Sequence, residues 1–153
     1  MIRLRPIVAT DAPFLLELYA STRAEEMAMV QWTEEQKRAF LAMQFEAQSA
    51  HYAQHYAGAD FHIIEDDGNP IGRLYIHRQS HDIRIVDISL MPQHRGKGIG
   101  TKLLREILDE GAATNTPVTI HVEQFNPAMR LYQRLGFRRI GSHGVYDLME
   151  WTK

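Results

Sequence analysis

Between Gln93 and Leu104 the chain reads QHRGKGIGTKLL, with glycine at 96, 98 and 100 and cations at 95 and 97. Glycines placed in this way let a backbone approach a ligand closely or take positive φ angles. Leu103, Leu104, Ile107 and Leu108 then recur at helical spacing, so the glycines open a helix. Amides at such a helix start converge on one point, where the helix dipole adds about half a positive charge. Arg95 and Lys97 add cationic reach. This is chemistry for a diphosphate held without a metal, because no carboxylate is arranged nearby to hold magnesium. Two better-known glycine loops fail at the same place. The nucleoside-triphosphate loop and the dinucleotide loop both require a glycine where Thr101 stands.

Other residues carry chemistry with a plainer reading beside it. Asn126-Pro127 is a good helix start, with asparagine as N-cap and proline in the first turn. Tyr132 shares helical spacing with Met129 and Leu135, which suits a core or rim residue as well as a functional one. Asp87 interrupts an apolar strand, and burying a carboxylate is costly unless it is paired. It therefore points into a wet cleft or meets a structural partner such as an arginine. His51 and His55 stand four apart on one helical face, but Tyr52 occupies the position where a zinc-protease motif needs glutamate. A solvated helical face explains them. His62, His77 and His121 fall in strands, where hydrogen-bonded, half-buried histidines are the ordinary case; His77 or His121 could still line a pocket.

The elements that position these residues are legible in the chain. IRLR predicts a first strand, and TDAPFLLELYASTR a helix capped by Thr10 or Asp11 with Pro13 in its first turn. TEEQ from Thr33 is a capping box that opens a long helix ending near Gly58. Asp67-Gly68 joins two strands as a hairpin. IRIVDISLMP is a strand closed by Pro92, and VTIHVE is another. NPAMRLYQRLGF is a short helix stopped by Gly136, and two last strands surround a glycine turn. The order β-α-α-β-β-β-α-β-α-β-β predicts a mixed sheet of about seven strands with helices on both faces.

At 153 residues the chain is expected to fold as a single domain, 1–153, burying about 70% of its unfolded surface. With 17 Lys+Arg against 19 Asp+Glu the net charge is −2, which makes no general electrostatic case for nucleic acid. No run of eighteen apolar residues suggests a membrane span. The chain has no cysteine, which excludes a disulfide, a zinc-thiolate site and a cysteine nucleophile. With no export signal visible, the cytoplasm is the expected compartment.

Two of these segments together resemble a family. ISLMPQHRGKGIGTKLL is similar to the acetyl-coenzyme A loop of the GNAT N-acetyltransferases, a [QR]-x-x-G-x-[GA] pattern after a strand. NPAMRLYQRLGF is similar to that family's second signature, an asparagine before a short helix that carries a tyrosine and ends in Gly-Phe. The element order matches along essentially the whole chain. The resemblance implies that coenzyme A meets the amides of Gly96, Lys97, Gly98, Ile99, Gly100 and Thr101. It also implies that Ile88, Ser89 and Leu90 lend backbone groups to the pantetheine arm, and that Asn126 contacts it.

Further implications concern chemistry. The fourth and fifth strands should splay apart to admit the thioester, placing Glu123 near the opening. Tyr132 becomes the candidate that hydrogen-bonds to the leaving sulfur. Glu123, Asp87 or a strand histidine could pass on the proton of an amine acceptor. Glu25 and Glu26 fall in the region that usually covers the acceptor. Without a cysteine, direct attack by the amine is favoured over an acyl-enzyme. The expected protein is therefore an acetyl-coenzyme A-dependent N-acetyltransferase, monomeric or homodimeric, without a metal. A non-catalytic acyl-coenzyme A sensor with the same glycine loop is the alternative.

Overall fold

A computed structural model describes residues 1–153. Its seven strands are β1 (Ile2–Pro6), β2 (Asp60–Asp66), β3 (Asn69–Arg78), β4 (Ile83–Leu90), β5 (Val118–Glu123), β6 (Arg138–His143) and β7 (Tyr146–Trp151). The helices are α1 (Ala12–Thr22), α2 (Ala24–Ala28), α3 (Glu34–His55), α4 (Ile99–Thr114) and α5 (Met129–Arg134). The strands form a mixed sheet in the order β1-β2-β3-β4-β5-β7-β6. The chain divides into two compact units, Met1–Leu74 with Ser89–Arg95, and Tyr75–Ile88 with Gly96–Lys153.

In the first unit, β1 runs antiparallel to β2, from Ile2 opposite Asp66 to Pro6 opposite His62. The Asp67-Gly68 turn after β2 has positive φ at both residues, 49° and 85°, which matches the right-handed twist of the flanking strands. Thr33 caps α3 as its sequence predicts: its hydroxyl accepts from the Gln36 N–H, while the Gln36 side chain accepts from the Thr33 N–H. Leu18, Ile63, Ile64, Ile71 and Leu74 are almost fully buried and form the core here. No helix of the chain is long and apolar enough to cross a membrane.

Two local expectations change in this unit. The helix following β1 stops at Thr22, and a separate turn of helix, α2, follows. The Ser21 and Thr22 hydroxyls bond back to the carbonyls of Leu18 and Tyr19, competing with the backbone ladder at that break. Neither Thr10 nor Asp11 caps α1 with its side chain. The Asp11 carboxylate instead takes both ends of the Arg5 guanidinium at 2.8 Å and the Val8 N–H at 2.8 Å.

Arg5 holds the Asp11 carboxyl at about 2, with desolvation acting in the opposite sense. A depressed carboxyl stabilises the fold fully above its unfolded value of 3.8 and loses that contribution as pH falls through about 2. Asp11 is 6% exposed, so the contribution is on the order of 2 kcal/mol. Asp11→Asn should lower the melting temperature at pH 7 and flatten its fall between about pH 4 and pH 2. Unfolding curves across that range check this; parallel curves would deny Asp11 the effect.

In the second unit α4 lays Leu103, Leu104, Ile107 and Leu108 into the core, the stripe its spacing predicts. Gly111 lets α4 sit close to the end of the loop before β5, since a Cβ there would stand 2.8 Å from the Thr116 carbonyl oxygen. β5 is antiparallel to β7 along its whole length, Val118 opposite Trp151 to Glu123 opposite Tyr146. Its parallel pairing with β4 is short, covering only Ile83–Val118, Arg84–Thr119 and Ile85–Ile120.

Candidate active site

The end of that short pairing creates the opening. β4 continues to Leu90 and β5 to Glu123, but their registered pairing stops at Ile85 and Ile120. Beyond it β4 and β5 run on without registered pairing to each other, the kind of strand edge that an amide-bearing chain can join. The pairing just before the opening is reinforced by a buried cluster. The Thr119 hydroxyl donates to Asp82 at 2.6 Å and accepts from Arg84 Nε at 2.7 Å. Asp82 also accepts from the Gln79 amide at 2.8 Å and is 4% exposed. No local pattern signals this cluster, because its members are 35 and 37 residues apart in the chain.

The glycine run separates into distinct roles. Gly96 and Gly98 have φ of 74° and 83°, left-handed values that favour glycine, and Gly98 is the N-cap of α4. Gly98 has no side chain with which to cap, so the first-turn amides of Ile99, Gly100 and Thr101 keep their donors for another partner. Gly100 has no positive φ, and a Cβ there would meet nothing within 4 Å. The turn does not need a glycine at 100; space above the amides is what it preserves. Lys97 is exposed beside them.

Arg95 has a structural tie that spacing alone does not reveal. Its Nε donates to the Leu90 carbonyl at 2.9 Å, and its guanidinium lies 3.4 Å from the Ser21 hydroxyl. It thus fastens the end of β4, and one lone pair of the Leu90 carbonyl is used by the protein itself. Ile88 and Ser89 are half-buried on the same strand.

Tyr132 projects from α5 and is 6% exposed, with its ring edge-on to Phe137 at 5.7 Å. Burial, and then the charge of Asp87, push its phenol up to about 12. That electrostatic contact brings Asp87, half-buried on β4, into the neighbourhood of Tyr132. Glu123, at the end of β5, accepts from the Tyr146 hydroxyl at 3.3 Å.

Asn126 differs from its predicted place. It lies before α5, which begins at Met129 with Ala128 as N-cap, so Asn126-Pro127 does not start the helix. Its side-chain carbonyl instead accepts from the Ala128 N–H at 2.8 Å, and its backbone N–H donates to the Glu123 carbonyl at 2.9 Å. The turn so formed binds Asn126 to the end of β5 and leaves its side-chain NH₂ to offer. A groove of about 500 Å³ runs past it, lined by Phe125, Asn126, Met129 and Arg130 among others.

Other candidates stand apart. His51 and His55 stack at 4.0 Å on the exposed face of α3, with His55 Nδ1 bonded to the His51 carbonyl. Glu25 and Glu26 are exposed on α2, where Glu26 is 3.4 Å from Arg23. His62 and His77 are half-buried in β2 and β3.

The family model described as Acetyltransferase (GNAT) family matches residues 21–137. The chain belongs to the GNAT family. Its matched region contains both the glycine run and the Asn126–Phe137 segment. Among curated proteins, this GNAT chain is 29% identical over 122 residues to N-acetylaspartate synthetase of Homo sapiens, covering 75% of the chain and 40% of that protein. It is 33% identical over 97 residues to the N-alpha-acetyltransferase RimI of Mycobacterium tuberculosis, covering 60% of the chain and 57% of that protein. The match thus spans about half the length of these relatives. Among solved structures it resembles the PaiA N-acetyltransferase of Thermoplasma acidophilum in complex with coenzyme A, with a TM-score of 0.74 and 18% identity over 100% of this chain and 99% of that one. At that identity the likeness is one of fold: a GNAT sheet flanked by helices.

Proposed function

We propose that this chain is an acetyl-coenzyme A-dependent N-acetyltransferase, a single domain that transfers acetyl directly to the primary amine of a small molecule or peptide. The observation that carries the reading is the open glycine run at the start of α4, in the same unit as the early parting of β4 from β5. A diphosphate suits that run: it offers uncapped amides, a helix dipole, Lys97, and space where side chains would stand. The parted edges of β4 and β5 suit a chain carrying amides, such as pantetheine. The bound cosubstrate would supply an activated thioester. Coenzyme A in the complex of the Thermoplasma protein, and the acetyltransferase names of the curated relatives, support the reading.

In this mechanism the amides of residues 96–101 hold the diphosphate, and Ile88, Ser89 and Leu90 present the β4 edge to the pantetheine arm. Asn126 offers its side-chain NH₂ near the end of β5. Glu123 or Asp87 takes the proton that an amine, with a pKa near 10, must shed before attack. Tyr132 stays a phenol across working pH and donates a hydrogen bond to the sulfur as its charge develops. The chain has no cysteine to form a thioester intermediate, which supports direct transfer.

The decisive variant is Gly98→Asn. Asparagine tolerates the left-handed backbone, as Asn115 does in this same chain at φ 52°, so the fold should survive. Its side chain would stand over the amides. Acetyl-coenzyme A affinity should drop about tenfold or more, the size of one or two charge-assisted hydrogen bonds. Calorimetry on wild type and variant, with thiol release from a panel of amines, tests both binding and transfer. Wild-type affinity in a folded Gly98→Asn protein would move the cofactor elsewhere; binding without thiol release for any amine would favour a sensor.

A further inference from the structure

A cavity of about 340 Å³ lies between α5 and the hairpin of β6 and β7. Strand register sets which side chains face it. Met149 and Asp147 stand opposite Ile120 and Val122 of β5, and so share the face those residues bury. His121 and Glu123 of β5 point to the other face. Arg139 stands opposite Met149, and Ser142 opposite Asp147. Phe137 and Met149, both almost fully buried, form an apolar floor with Met129 of α5. Gln124, Arg139 and Asp147 supply the polar wall. Arg138 borders the cavity too, but its register opposite Glu150 sets it on the other face.

The two charges of this wall do not meet each other. Asp147 accepts from the Gln124 amide and the Ser142 hydroxyl, each at 3.2 Å, and both on one oxygen, Oδ1. Its Oδ2 has no hydrogen-bond partner. The Arg139 guanidinium makes neither a hydrogen bond nor an ion pair. It lies on the cross-strand diagonal from Asp147, where Cβ atoms are about 7–8 Å apart and a long side chain still reaches.

A guanidinium takes a carboxylate through two parallel N–H donors, and a free carboxylate oxygen accepts from an ammonium. One small molecule carrying both groups satisfies both residues. A molecule with only one of them leaves the other residue unmet. The cavity is at the small end for a ligand site, which suits a molecule of amino-acid size and not a nucleotide. Its floor favours a hydrocarbon body.

We propose that this cavity binds a small zwitterion with an apolar body, such as a free amino acid with an aliphatic side chain. The carboxylate meets Arg139, the ammonium meets Asp147 Oδ2, and the side chain lies on Met129, Phe137 and Met149. The molecule is a ligand at this site and not an acceptor, because Glu123 faces the other side of the sheet. The site does not rest on the acetyltransferase reading, although the chain joins the two. Gln124 follows Glu123, and Gln133, which also lines the cavity, follows Tyr132.

Calorimetry on the whole chain, without acetyl-coenzyme A, compares L-leucine with two analogues of a single charge. Isocaproate lacks the ammonium, and isoamylamine lacks the carboxylate. Leucine should bind saturably and about tenfold or more tighter than either, the worth of one charge-assisted hydrogen bond. Arg139→Gln should bring leucine down to the affinity of the amine and leave the amine itself unchanged. Asp147→Asn, which keeps an oxygen for Gln124 and Ser142, should bring leucine down to the acid. A distorted hairpin would instead weaken all three probes together, which overturns the proposal. So would leucine affinity unchanged in either variant, or no saturable leucine binding to wild type. Direct competition between leucine and acetyl-coenzyme A would place leucine in the cofactor's own site and overturn it as well. Failure of acetyl-coenzyme A to bind would bring down the acetyltransferase reading and leave this one standing.

Discussion

Tyr132→Phe is expected to leave acetyl-coenzyme A affinity near its wild-type value and to lower kcat by roughly 10²-fold, the usual size of a lost general acid. The ring is the part that packs: it is buried against Phe137, and phenylalanine keeps that contact. Only the hydroxyl leaves. With its phenol pushed up to about 12, Tyr132 is too weak an acid to lose its proton early. It can still direct a hydrogen bond at a sulfur whose charge grows as its bond to carbon breaks. Asp87 strengthens the restraint, because a phenolate beside its carboxylate would be repelled. Single-turnover rates isolate the chemical step. A Phe variant with wild-type single-turnover rate would remove Tyr132 from the chemistry.

The largest structural effect is expected at Gly72. In β3 this residue faces the end of β4, and a Cβ placed on it would collide with the Ser89 carbonyl oxygen and come within 2.9 Å of a Leu90 methyl. Both obstacles belong to the strand segment proposed to receive pantetheine, and the oxygen is backbone, which cannot rotate away. Gly72→Ala should therefore destabilise at the upper end of about 1–3 kcal/mol. For a chain of this length that is a fall in melting temperature of roughly 6–12 °C. Acetyl-coenzyme A binding should weaken as well, since relief comes by shifting residues 89 and 90. Thermal unfolding and calorimetry measure the two effects. A variant with unchanged melting temperature would show that β4 yields freely there.

What could be read from the chain alone was what short-range chemistry determines. The Asp67-Gly68 hairpin, the Thr33 capping box, the apolar stripe of α4 and the glycine run each rest on neighbours within a few residues, and each stands where it was expected. Errors arose where a side chain had a better partner. Asp11 gives up capping for Arg5, and Asn126 closes a turn with Ala128 instead of opening a helix. Gly72 and the Asp82–Thr119–Arg84 cluster depend on strands brought together by the fold. A lone glycine in an apolar strand was the one local sign, marking close backbone approach.

An ordinary open sheet has two rims. By ending their pairing at Ile85 and Ile120, β4 and β5 give this one four, two of them in its interior. Rims invite foreign strands, and proteins usually blunt them with charge or proline. Along this inner pair β4 and β5 have no registered pairing with each other, and it is here that an extended chain carrying amides is proposed to enter. Until such a chain enters, water satisfies those of the pair's amides that no group of the protein bonds. Their protons should exchange with deuterium far faster than those of the neighbouring paired strands, and slow sharply once that chain is bound.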